Sequence, residues 1–451
     1  MAELLAPLFG TPEASAIFAD RTRLQGMLDF EAALARAEAR VGVIPPGAAE
    51  AIGRSCRAEL FDLFRLAEGA AKAGNPAIPT VSALTALVAA ADAEAARYVH
   101  WGATSQDAMD TGLVLQLRQL ATVLDEDLER LSAALAGRAE EHKATLLAGR
   151  TWLQHAAPVT LGMKLAGWLD AVERHAERLE EVRSRALVLQ LGGAAGTLAA
   201  LGRQGLEVAE ALAADLGLAL PAIPWHAERD RLAEVAAFLG LLIGTLGKMA
   251  RDLSLLMQTE VAEAFEPAEE GRGVSSSMPQ KRNPVAAAVA LAAAARAPGL
   301  VSTMISAMVQ EHERGLGGWH AEWETLPELA SLAAGALRQM TATIEGLEVD
   351  AARMRANLDA TGGAILAEAA AVALAPRIGR PQAHELVERA ARRARETGRK
   401  LQDVLGEDPA ASAHLSARDL AAVFDPRHYL GQSVRFVDRV LAQRRKRREA
   451  T

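Results

Sequence analysis

Between Pro79 and Pro158 the chain contains no proline, and inside that span Leu113, Leu117, Leu120, Leu124, Leu128, Leu131 and Leu135 recur at steps of four and three. A repeat near 3.6 residues places these leucines on one face of a single helix. Globular helices average about 11–12 residues. A helix this long, with an unbroken apolar seam, must lie along other long helices, which is the geometry of a bundle.

Three more stretches supply such helices. After Pro158, the residues Leu161, Leu165, Trp168, Leu169, Val172, Leu179 and Val182 share one side. A third stretch, from about Glu228 to Glu263, is apolar on most of its circumference, as expected of a helix at the centre of a bundle. A fourth, rich in alanine, begins at Pro284. Central helices buried on all sides imply oligomerisation. Strand signals are nearly absent, because Val99 to Trp101 and Leu187 to Leu191 are too short to support a sheet. The expected class is therefore all-α, in three parts. Residues 1–110 form a short-helix domain with turn clusters at Pro45-Pro46 and Asn75-Pro76. Residues 111–350 form the long bundle, and residues 351–451 a small helical domain with turns near Pro376 to Pro381 and at Pro426.

Composition narrows the function. Aromatics make up only 4% of 451 residues while half are hydrophobic, so the core is built from Leu, Ala, Val and Met. A net charge of −8 and the lack of a basic stripe argue against nucleic acid. The one basic run, Arg444-Arg445-Lys446-Arg447-Arg448, reads as a solvated helix end opposing the C-terminal dipole. Cys56 is the single cysteine, which leaves no intrachain disulfide and no thiolate metal cluster. Glu3 sits early and no basic flank precedes an apolar run, so no signal peptide is expected. The uncharged run Val235 to Gly247 falls short of the about 20 residues a bilayer requires. Ala186 to Gly202 is broken by Gly192, Gly193 and Gly196. The expected location is the cytoplasm, without membrane partners.

Two segments bear on cofactors. Residues 310–324 gather His312, His320, Glu311, Glu313, Glu322 and Glu324, but no Glu-x-x-His pair occurs in the chain and the charges read as a solvated face. The run "GGAAGTL" (192–198) is not G-x-G-x-x-G, so it reads as a glycine turn between bundle helices, beside the site, and not as a dinucleotide fingerprint. No metal and no cofactor is expected.

The stretch "GVSSSMPQKRNP" (273–284) interrupts this helical pattern. Glycines and Pro279 forbid a continuous helix. Asn283-Pro284 before Val-Ala-Ala-Ala reads as a helix start, with Asn as cap and Pro in the first turn. The segment is a polar loop delivered to a helix N-terminus, where free N–H groups and the adjacent Lys281 favour an anion.

"SSSMPQKRNP" resembles the signature of the fumarase/aspartase superfamily, Ser-Ser-x-Met-Pro-x-Lys-x-Asn-Pro, with Val274 where glycine usually precedes it. "HWGATSQDAMDT" (100–111) and "GRTWLQHAAPVTLG" (149–162) match in the expected order, as does the N-terminal "DRTRLQGMLDFEAAL", so the resemblance covers essentially the whole chain. It implies a homotetramer with a helical core, each active site gathering the three motif regions from three subunits. It implies that Ser275 is the catalytic base, that Lys281 and Asn283 hold a substrate carboxylate, and that Ser276 and Met278 line the loop. His100, Thr104 and Ser105 match the first substrate-binding region.

A serine hydroxyl removes a carbon-bound proton only as alkoxide or while passing its own proton on, so Lys281 and loop N–H groups are the stabilisers it needs. Related lyases carry histidine after the threonine matching Thr151, where it protonates the leaving group; here the residue is Trp152, read as a wall of the site. Opening a lactone expels a carboxylate, whose acid has a pKa of about 4, and no proton donor is required. The pattern is thus most similar to the branch that interconverts 3-carboxy-cis,cis-muconate and its lactone, a small tricarboxylate substrate handled in protocatechuate catabolism. His155 and Gln154 remain as donors to carboxylate, and Arg314 and Trp319 are expected near the site. The rivals are an adenylosuccinate- or argininosuccinate-type lyase releasing fumarate, and a non-catalytic helical scaffold that kept the fold.

Overall fold

The computed structural model describes residues 4–268, 271–275, 277–278 and 280–450. Six long helices carry the architecture: α1 (Asp20–Val41), α2 (Ser105–Glu141), α3 (Leu161–Ala186), α4 (Asp230–Leu256), α5 (Val285–Ser306) and α6 (Gly318–Glu345). The leucine seam lies on α2, which runs for 37 residues. Leu117, Leu120, Leu124, Leu128, Leu131 and Leu135 are all buried, and Leu113 at the N-terminal end is half-buried. At about 1.5–3 kcal/mol for each fully buried leucine, the six contribute roughly 9–18 kcal/mol towards holding α2 in place. The apolar face of α3 is buried along its whole length, from Leu161 to Val182.

Internal contacts group the chain into two compact units. One comprises Met1–Leu128, His175–Gly247 and Val289–Gln339, the other Glu129–Arg174, Lys248–Ala288 and Met340–Thr451. In the first, α1 and α2 touch backbone to backbone at Gly26 and Gly112. A Cβ on Gly26 would lie 3.0 Å from the Gly112 carbonyl oxygen, so a side chain there would push the two backbones apart. In the second, α7 (Ala367–Ile378), α8 (Arg380–Thr397) and α9 (Leu401–Glu407) enclose a small core of Leu374, Leu386, Val387, Leu401, Leu405 and Leu420.

The structure corrects several expectations. Strands are few, in keeping with the all-α class, but Leu146–Thr151 (β1) and Gln154–Thr160 (β2) form an antiparallel hairpin that was not expected. A two-residue ladder joins Ala264–Phe265 (β3) to Glu348–Val349 (β4). The third helical stretch stops at Leu256, seven residues before Glu263, because the chain turns there to enter β3. The run Val235 to Gly247 is part of a 27-residue helix, so α4, like α5, is long and apolar enough by length and composition to cross a membrane. The most apolar window of α4 is 61% buried inside the chain, against 33% for α5. Packing within the chain therefore covers more of α4 than of α5, where Ile305 stays exposed.

The basic tail is also not simply solvated. On α10 (Ser433–Ala450), Arg444 donates to Ser132 Oγ at 2.7 Å and to Glu129 at 3.1 Å, Arg447 meets Glu173 at 3.4 Å, and Arg448 pairs with Glu129. The cations lie against acids of α2 and α3, a closer and stronger attraction than the helix's own dipole.

Candidate active site

In the first unit the 100–105 loop ends at Ser105, the first residue of α2. The Thr104 N–H donates to Asp107 Oδ2 at 2.9 Å, the reach-back half of a capping box. Asp107 is fully buried and does more than cap. It also accepts the Gly192 and Gly193 N–H groups at 2.9 Å each, and His226 Nε2 at 2.6 Å. One carboxylate therefore ties the loop to the glycine turn. Gly193 has φ of 72°, and a Cβ there would sit 2.9 Å from the Gly102 carbonyl oxygen, so glycine is required twice over.

Arg314 reaches the same turn, its Nη2 donating to the Ala194 carbonyl at 3.2 Å. The glycine turn is thus the common support of Arg314 and the 100–105 loop. Trp319 is buried and donates from Nε1 to Asp110, itself bidentate to the fully buried Arg229, whose second partner is Glu322. Trp319 and Glu322 therefore belong to a buried ionic base. No group of three His, Cys, Asp or Glu side chains among the described residues is placed to hold a metal.

His100 sits in left-handed backbone with φ of 59°. Its Nδ1 lies 2.6 Å from Glu31 Oε1 on α1, and since a carboxylate only accepts, that nitrogen carries the proton. Burial alone would lower the imidazole's pKa. The Glu31 charge and hydrogen bond, with Asp107 behind them, reverse that and raise it above its ordinary value.

In the second unit the signature loop folds back on itself. Val274 pairs with Arg282, and the Asn283 N–H donates to the Gly273 carbonyl at 3.0 Å. Ser275 Oγ accepts the Met278 N–H at 3.1 Å, and the Met278 carbonyl accepts the Lys281 N–H at 3.0 Å. Met278 is exposed, Asn283 is half-buried, and Ser276 lies outside the described residues. The Lys281 side chain is exposed and has no carboxylate partner among the described residues, whereas Arg282 is bound to Glu348. A cavity of about 200 Å³ lies behind the loop, lined in part by Met257, Glu266, Arg272, Lys281, Arg282 and Asn283.

The expected anion site at the helix start needs correction. The helix begins at Val285, not at Pro284. The N–H groups of Ala286 and Ala287 donate to the buried Glu266 carboxylate at 3.0 and 2.8 Å. The protein supplies its own anion there, satisfying two orphan donors and the dipole together.

The 149–162 motif forms the β1–β2 hairpin. Its two-residue turn is Trp152-Leu153, with φ of 52° and 63°, the double positive φ that an I′-type hairpin needs, here without glycine or asparagine. Trp152 is 95% exposed in the chain, so packing within the chain does not account for it. Gln154 and His155 follow on β2, both exposed, and His155 faces Arg150 across the ladder. Arg150 is bidentate to the buried Glu263 at 2.7 and 2.8 Å, and Asn357 also donates to Glu263. Burial first and the Arg150 charge second push the His155 pKa down, against Glu263, which favours a neutral imidazole at pH 7.

Sequence reasoning missed Glu31, Asp107, Glu263 and Glu266 as parts of the site. Only Asp107 carried a local signal, the Thr-Ser-Gln-Asp spacing of a capping box; the others act on partners 20 or more positions away.

The chain matches the family model described as lyase over residues 9–299 and that described as adenylosuccinate lyase C-terminus over residues 363–440. It is 63% identical over 441 residues to the 3-carboxy-cis,cis-muconate cycloisomerase of Pseudomonas aeruginosa, covering 98% of this chain and 96% of that one. It is 57% identical to the enzyme of the same name from Pseudomonas putida, covering 93% and 99%. The crystal structure of 3-carboxy-cis,cis-muconate lactonizing enzyme from Pseudomonas putida superposes with a TM-score of 0.94 at 56% identity, covering 98% of this chain and 99% of that one.

Proposed function

This chain belongs to the fumarase/aspartase superfamily, with its all-α fold, and from that premise we propose that it is a cycloisomerase interconverting 3-carboxy-cis,cis-muconate and carboxymuconolactone. The observation that carries this reading is the Ser275–Lys281 loop in a chain that presents an indole, Trp152, where an amine- or hydroxide-expelling enzyme needs an acid.

In the lactonising direction a substrate carboxylate attacks the conjugated double bond, and the resulting aci-carboxylate takes a proton on carbon. In reverse, Ser275 removes that proton and the ring opens by expelling a carboxylate. Ser275 Oγ already accepts one amide hydrogen, which stabilises negative charge on that oxygen. Lys281, without an ion-pair partner among the described residues, supplies the charge that a carboxylate and its doubly charged intermediate require. Asn283, Met278, Ser276, His100, Thr104, Ser105 and Arg314 bind and orient the substrate. Trp152 walls the site, with Gln154 and His155 as hydrogen-bond donors to carboxylate.

The working form is a homotetramer in the cytoplasm, without nucleic-acid or membrane partners, each site drawing on three subunits. The support is the apolar helix α5, less covered within the chain than α4, and the exposed pair Trp152-Leu153 at the hairpin tip, both suited to contact with another copy. A direct assay tests the activity: the purified chain converts 3-carboxy-cis,cis-muconate with loss of its conjugated absorbance. Release of fumarate from adenylosuccinate or argininosuccinate, with that absorbance unchanged, refutes it.

A further inference from the structure

We propose that Glu31 is a positioning residue for the site: it holds His100 as an imidazolium whose Nε2–H is free to receive a substrate carboxylate. This rests on the reading of the 100–105 loop as substrate-binding.

The geometry is specific. Glu31 is 2% exposed and meets His100 Nδ1 at 2.6 Å through Oε1, while its Oε2 has no hydrogen-bond partner among the described residues. A buried carboxylate is costly unless a charge faces it, and the imidazole is the group within reach. No partner of His100 Nε2 occurs among the described residues, so the ring is fixed at one nitrogen and open at the other. The residue keeps a left-handed backbone without being glycine, a strain that persists only where surroundings impose it.

The charges around the ring agree. From α1 comes Glu31; Glu38, two turns on, acts on Glu31 and not on the ring, and burial and the Glu31 charge keep it protonated with a pKa of about 9. From α2 comes Asp107, already saturated by the loop, the glycine turn and His226. Glu31 is therefore the anion that decides the state of His100. Without it, burial dominates and the imidazole becomes neutral. Its remaining nitrogen would then be a weaker hydrogen-bond donor or, in the other tautomer, an acceptor facing a carboxylate.

Glu31→Gln separates the possibilities. In the resting protein, the His100 ring-proton resonance followed by NMR should titrate above the ordinary value of about 6.5 in the wild type and below it in the variant. With 3-carboxy-cis,cis-muconate at pH 7.5, KM should rise at least about tenfold with a smaller change in kcat, and His100→Gln should add little further in the double variant. An unmoved titration, or KM effects of the two substitutions that multiply, overturns the proposal. If Glu31→Gln does not fold, the wild-type rise of KM with pH must disappear in His100→Gln, and its persistence overturns the proposal equally. If the wild type leaves carboxymuconate unchanged, the assigned activity fails while the titration still judges Glu31.

Discussion

Glu38 offers a stability test that needs no substrate. It lies fully buried on α1, and neither carboxyl oxygen has a hydrogen-bond partner among the described residues. Burial first and the neighbouring Glu31 second raise its pKa from 4.5 to about 9. The unfolded chain loses this proton near pH 4.5 and the folded chain holds it to about 9, so the carboxyl leaves stability intact below 4.5 and erodes it as pH rises towards 9. At pH 7 the erosion is the span between 4.5 and 7 at 1.36 kcal/mol per pH unit, or about 3 kcal/mol. Glu38→Gln keeps the shape and removes the proton equilibrium. Calorimetry should find the two proteins close at pH 4.5 and the variant increasingly more stable up to pH 8. With about 2 cal/mol/K of unfolding entropy per residue, the Tm gap at pH 7 should be roughly 3–4 °C. A gap that stays constant from pH 4.5 to 8 would refute the argument, because it would mean that Glu38 ionises alike in both states.

Other substitutions probe the site. Ser275→Ala should keep the assembly, seen by sedimentation, and lose turnover by at least about a hundredfold. A fully active variant removes the base and reopens the scaffold reading. Trp152→Ala should leave the circular dichroism of the chain unchanged, because the indole makes no core within it, yet lower kcat/KM for carboxymuconate by about tenfold or more. Glu266→Gln removes the charge at the start of α5 and should speed amide exchange at Ala286 and Ala287, with a stability loss of about 1 kcal/mol.

The long helices were legible because their signal is periodic and local: the α2 leucines and the α3 face announce themselves every three or four residues. The β1–β2 hairpin was not. Its strands are six and seven residues long, its turn is Trp-Leu and not Asn-Gly, and Pro158 sits inside β2. The signature loop was readable as a polar break before a helix, and its resemblance supplied the roles. The capping of that helix was misread, because Asn283 sits next to the helix start while the real cap, Glu266, lies 20 residues away. The Glu31–His100 pair spans 69 positions, a separation that no local pattern encodes. Charges joined through the fold are the part of a site that sequence spacing conceals.

The most direct measurement is a structure of the protein with carboxymuconolactone bound. Ser275 Oγ is predicted to stand about 3–3.5 Å from the carbon that gives up its proton, with Lys281 Nζ against the adjoining carboxylate. A lactone whose acidic carbon faces a different titratable side chain, with Ser275 out of reach, would contradict the account.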